Sequence, residues 1–228
     1  MQVVLKNNEI EMAKDSLEFF FRISIGQYSE FYDWFNFHLT EDNFVIERTD
    51  KDAMEMGLIG IRSIVIPALN NHNLQSSLGI FNKITDERAQ EAYDIFQCIR
   101  SEYAWFKNPC GGNTVDFQRP WNPHKKSMVE YPVCKAYFDE QNDYVSIELN
   151  NNQFMIMYYA AFVLTLVLEG NYRQVLTYFT SNENALWMAE KLRKYLPRAK
   201  DCIYLRDVVA YRDMLNKSMR DETGDRND

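Results

Sequence analysis

The chain has 228 residues, 46% hydrophobic, 25% charged and 14% aromatic, with 8 Gly and 6 Pro, a composition that excludes disorder and suffices for one buried core. Its 33 acidic against 25 basic residues give a net charge of -8, which repels polyanions and argues against nucleic acid as a partner. The acidic clusters, such as Asp139-Glu140 and Asp221-Glu222, are short, so the dense carboxylate runs of a nucleic-acid mimic are missing too.

Val3 to Leu5 reads as an edge strand, followed by a helix from about Glu9 to Ile25 that Asn7 or Asn8 can cap. Met12, Ser16, Phe19, Phe20 and Ile23 recur at the spacing of an inward stripe, with Glu11, Lys14, Asp15 and Glu18 on the other side. Gly26 offers a break. Tyr28 to Phe37 reads as a second, aromatic helix, and Thr49 with Asp52 as a weak capping box for a third. That third helix carries Met54, Leu58, Ile61 and Val65 and ends near Ile66, ahead of Pro67. Asn70 to Leu78 is polar and reads as a loop.

A longer helix is predicted from Thr85 or Asp86 to about Lys107, with Ala92, Phe96, Ile99, Tyr103 and Phe106 on one face. Residues 108–132 hold Pro109, Gly111, Gly112, Pro120, Pro123 and Pro132, too many breakers for a regular element, and so form a long loop. Val133 to Phe138 and Tyr144 to Leu149 flank the polar turn DEQND as a hairpin. The apolar run Phe154 to Leu168 falls short of the ~20 residues needed to cross a bilayer, so it is expected to be a buried core helix, with no membrane involved. Beyond Gly170, Tyr172 to Phe179 resumes the helix. Thr180 to Glu183 then caps another, with Leu186, Ala189, Leu192 and Leu196 inward and a stop at Pro197. The last helix spans about Tyr204 to Lys217. The expected fold class is predominantly α with a small β-hairpin (α+β) on a single helical core, residues 1–216 forming one domain and 217–228 a disordered tail.

The candidate chemistry is sparse. His38, His72 and His124 lack metal-ligand spacing, so no metal and no cofactor is expected. Cys98, Cys110, Cys134 and Cys202 form no C-x-x-C pair, and MQVVLKNNEIEM lacks the features of a leader; both fit a reducing cytoplasm. Cys98 falls beside an apolar stripe as a structural thiol, whereas Cys110 precedes Gly111-Gly112 in the long loop, where a thiol is accessible.

Arg22 and Arg100 stand out because each borders an apolar stripe, where a charge must find a partner. Tyr93, Gln97 and Arg100 share one helix flank. Glu18, one turn earlier, is the structural partner for Arg22; the neighbourhood of Glu102 or a backbone carbonyl serves Arg100. The other reading is a ligand: Arg22, Gln27, Gln97 and Arg100 would line a polar pocket for a carboxylate or phosphate, which suit planar guanidinium groups.

Arg22-Ile23-Ser24-Ile25-Gly26-Gln27, the run Ala92 to Arg100 (AYDIFQCIR), Ala104-Trp105 and Asn108-Pro109-Cys110-Gly111-Gly112 together resemble a group of uncharacterised proteins encoded by phages and prophages. Near Glu102 members of that group often carry a basic or His residue, which this chain lacks. The resemblance implies a small protein acting in the bacterial host cytoplasm and supplies no activity, cofactor or ligand. Three functions follow as expectations. The first is a non-enzymatic accessory protein that binds a host or phage protein, with a homodimer allowed by the aromatic segments Tyr28 to Phe37 and Phe179 to Trp187. The second is a binder of a small carboxylate or phosphate at the four residues above. The third is an enzyme using the loop from Cys110 to Asp116.

Overall fold

The computed structural model describes residues 2–27, 80, 86–114, 117, 121–122, 127–128, 135–139, 144–178, 181–195 and 203–223. Strand β1 (Gln2–Lys6) runs directly into helix α1 (Asn7–Ser24). Val3 and Leu5 point inward while Gln2, Val4 and Lys6 are exposed, the period of two expected of a strand with one covered face.

Helix α2 (Glu87–Lys107) follows, then two short paired strands, β2 (Trp121–Asn122) and β3 (Ser127–Met128). β4 (Lys135–Asp139) and β5 (Tyr144–Glu148) form the predicted hairpin. β1 pairs antiparallel with the free side of β5, Val3 opposite Ile147 and Leu5 opposite Val145, giving the order β1-β5-β4. As the central strand, β5 has Val145, Ser146 and Ile147 all buried.

Helix α3 (Asn151–Leu168) starts with a reciprocal cap: Asn150 Oδ1 accepts the Gln153 N–H at 2.9 Å, and Gln153 Oε1 accepts the Asn150 N–H at 2.8 Å. It is long and apolar enough to cross a membrane, yet 67% of it is buried inside the protein. Phe154, Met157, Ala160, Ala161, Leu164 and Val167 are among its buried residues, and a helix apolar on all sides must be enclosed. Helices α1, α2, α4 (Tyr172–Leu176) and α6 (Ile203–Thr223) supply that enclosure, and α5 (Asn182–Tyr195) packs on α4.

Several expectations need correction. Lys6, not Asn7 or Asn8, occupies the cap of α1, because the strand leads into the helix without a loop and Glu9 Oε2 takes the Lys6 N–H at 2.7 Å. The segment expected to be a structureless loop over 108–132 contains β2 and β3, which pair across Asn122 and Ser127; a two-residue ladder needs no periodic pattern. Leu186 is exposed, and the inner face of α5 is formed by Ala185, Met188, Ala189 and Leu192. Helix α6 continues to Thr223, so residues 217–223, assigned to a disordered tail, are helical; Met219 packs against the core and gives the extra turns an apolar anchor. The helices expected at Tyr28–Phe37 and Thr49–Ile66 and the loop at Asn70–Leu78 lie outside the described residues, as do residues 224–228.

Asp15, expected on the outer side of α1, accepts a 2.5 Å hydrogen bond from Tyr204 Oη of α6. Burial there raises its carboxyl to about 6, against the lowering effects of the Tyr204 hydrogen bond and of Lys14; Glu11 and Glu18 add smaller upward pushes. A carboxyl that holds its proton more tightly in the folded than in the unfolded chain stabilises the fold fully below the unfolded value of 3.8. That contribution is lost as pH rises through about 6. The stability of the wild type relative to Asp15→Asn is therefore expected to fall by up to about 3 kcal/mol between roughly pH 4 and pH 7, read from urea unfolding of both proteins at each pH. A difference that does not change with pH would mean the carboxyl is solvated.

Candidate functional site

Among the described helices, α1 and α2 share the most extensive contact. Where the C-terminal end of α1 meets the middle of α2, a cavity of about 430 Å³ opens. Arg22, Gln27, Gln97 and Arg100, the four residues singled out from the sequence, all line it.

Their convergence on the α1 side depends on how that helix stops. Gly26 adopts φ 82, a left-handed conformation open to glycine. Its N–H donates to Ile23 O at 3.1 Å and the Gln27 N–H to Arg22 O at 2.9 Å, the paired bonds of a Schellman ending. The turn folds Gln27 back onto the last helical turn, where its Oε1 accepts from Arg22 Nη1 at 3.2 Å. Arg22 also donates from Nε and Nη2 to Glu18 Oε1, at 2.9 and 2.7 Å. Glu18 is thus the one-turn partner anticipated for Arg22. With both side chains 36% exposed, this pair contributes only a few tenths of a kcal/mol, so its main effect is to fix where the guanidinium points.

On α2, Tyr93, Gln97 and Arg100 face the cavity from successive turns. Gln97 and Arg100 are 7% and 8% exposed. Burial raises the Tyr93 hydroxyl pKa, while Arg100, the Gln97 hydrogen bond and Arg22 act to lower it and Asp94 to raise it. One phenol therefore feels both arginines.

Sequence reasoning missed the apolar wall. Phe21 sits edge-to-face with Tyr93 at 5.2 Å and tilted against Phe96 at 5.5 Å, and Ile25 and Ile80 complete the lining. The signal for Phe21 was available in the run Phe19-Phe20-Phe21: three consecutive rings cannot all follow one helix stripe, so at least one must serve another contact. Ile80 carried no signal. The lining holds two guanidinium groups against one carboxylate, Glu18, so its formal charge favours an anion. An anion bound there would meet planar donors, two amides and aromatic rings.

The loop proposed for an enzyme begins directly after α2. Cys110 is exposed and Cys98 buried. Asn108 Nδ2 donates to Gly111 O at 2.9 Å and Trp105 meets Phe117 edge-to-face at 5.4 Å, so the described part of this loop is braced against α2. The three histidines, Cys134, Cys202 and Asp116 lie outside the described residues. Among the described residues no group of three His, Cys, Asp or Glu side chains could hold a metal ion. Comparison with family models, curated proteins and solved structures found no match.

The Schellman ending makes Gly26 a point of weakness. Gly26→Ala is expected to lower unfolding stability by about 1 to 2 kcal/mol, the cost of a left-handed residue with a side chain, and Gly26→Asn by less, because Asn tolerates that conformation. Denaturant unfolding of both variants measures it.

Proposed function

We propose that the protein binds a small anion, a carboxylate or phosphate carried on a flat apolar body, in the cavity between α1 and α2. The observation that carries this reading is the convergence of buried Arg100 with Arg22, Gln27 and Gln97 against the Phe21, Tyr93 and Phe96 rings in one cavity of about 430 Å³. That size falls within the range of small-molecule sites, which pair a largely apolar lining with a few placed polar groups. Arg22 and Arg100 supply planar donor groups, the two amides can donate to or accept from polar edges, and the rings offer apolar faces. The bacterial cytoplasm during phage or prophage life, which the resemblance implies, is the proposed setting.

The test is thermal unfolding scanned against aromatic carboxylates and small phosphate esters. A true ligand raises the midpoint with concentration, by about 2.7 kcal/mol of added stability at a hundredfold excess over Kd. Arg22→Gln and Arg100→Lys are expected to weaken that response about tenfold or more, since each removes a planar donor fork. A response unchanged in both variants, or none to any anion, rejects the site.

A second reading, a non-enzymatic accessory protein that engages another protein, draws on one surface feature. Leu186 and Trp187, adjacent on α5, are 43% and 37% exposed, and Trp is a preferred anchor at protein interfaces. If the partner is a second copy of this chain, sedimentation should be concentration-dependent and Trp187→Ser should abolish the dependence. A monomer at all concentrations removes the homodimer.

A further inference from the structure

A second cavity, far simpler in lining, lies beyond the C-terminus of α3. Gly170 closes that helix at φ 78, with the Asn171 N–H donating to Leu166 O at 2.8 Å, and the chain turns into α4. Tyr172, Val175 and Leu176 of α4 are buried, as are Ala185, Met188, Ala189 and Leu192 of α5, which packs on it. The residues left on the outer side of this contact, Asn171, Arg173, Gln174 and Thr177, join Arg193 of α5 around an open cavity of about 340 Å³.

All five lining side chains can donate hydrogen bonds, and none is a carboxylate or an apolar group. Thr177 Oγ1 donates to Gln174 O at 2.8 Å and Asn171 Nδ2 to Glu169 Oε2 at 3.1 Å; Glu169 does not itself line the cavity. Arg173 and Arg193 take part in no ion pair among the described residues. In a chain with 33 acidic residues, two arginines that face one space without a carboxylate leave a local excess of positive charge.

We infer that this cavity is an anion site for a phosphoryl group, that of inorganic phosphate or of a small phosphomonoester. A single guanidinium fork satisfies a carboxylate, whereas a tetrahedral dianion presents enough oxygens to take two forks at once. No aliphatic or aromatic side chain lines the cavity, so recognition rests on the charged head. This inference does not depend on the cavity between α1 and α2.

The test is isothermal titration of the full chain with inorganic phosphate, exchanged against chloride at constant ionic strength. Saturable binding is expected, weakened about tenfold or more in Arg173→Gln/Arg193→Gln and retained in Arg22→Gln. Both arginines are exposed, so the double variant should unfold at the wild-type midpoint in chloride, which separates lost binding from lost fold. Glycerol phosphate in place of phosphate distinguishes the sources: tighter binding assigns an ester, weaker binding the free ion, and either supports the site. Undiminished binding by the double variant, loss confined to Arg22→Gln, or no saturation below about 10 mM overturns it.

Discussion

A helix with apolar residues on every side needs most of its surface covered, and α3, two-thirds buried, imposes that constraint on the rest of the molecule. Helices α1, α2, α4 and α6 all contact it, and most of them are shaped by having to do so. Helix α1 serves α2, α3, α6 and the sheet at once, so its buried face is wider than one stripe and takes in Ala13, Leu17 and Phe21 as well as the predicted positions. Two of the hydroxyl groups drawn inward by this packing find local acceptors. Ser16 Oγ donates to Ala13 O and Thr165 Oγ1 to Ala161 O, each within its own helix. Asp15 instead has a partner 189 positions away, Tyr204, and its raised pKa records the desolvation that this contact entails.

The same crowding explains the location of the cavity between α1 and α2. The two helices pack closely, but α1 ends at Ser24 and turns at Gly26 while α2 continues, and the space at that ending is lined by long polar side chains as well as by core residues. Arg22 is held by Glu18 and Gln27, leaving a defined guanidinium position. Preorganised donors lower the ordering cost of binding. A structural role for these contacts and a ligand-binding role are therefore compatible, since the interactions that fix Arg22 are also those that would aim it.

The parts of this arrangement legible in the sequence are those written locally. The three-and-four spacing located α1 and α2, the apolar run located α3, and Gly26 and Gly170 marked the endings where positive φ is found. Arg22 and Arg100 were recognisable because a charge beside an apolar stripe is locally anomalous, and the structure places both on one cavity. What escaped depends on distant residues. Met219 extends α6 through a tertiary contact that no local propensity records. Leu186 fits a helical stripe equally well whether α5 is rotated to bury it or, as found, Ala185 and Met188. Arg173 and Arg193 belong to different helices, and nothing in either segment announces the other.

The two cavities differ in what they ask of an anion, and the difference follows from their linings. The cavity between α1 and α2 combines buried Arg100 and half-buried Arg22 with one carboxylate, Glu18, and rings, so shape adds to a net charge that already favours an anion. The one beside α4 is lined by two cations and three neutral polar side chains, with no carboxylate among them, so charge counts for more there. A chain of net charge -8 repels anions at a distance, but that repulsion is screened beyond a Debye length of about 8 Å at physiological salt. Inside that distance the local groups dominate. Selectivity at either proposed site would therefore be a short-range property of particular guanidinium and amide positions, with the overall charge affecting mainly the rate of arrival.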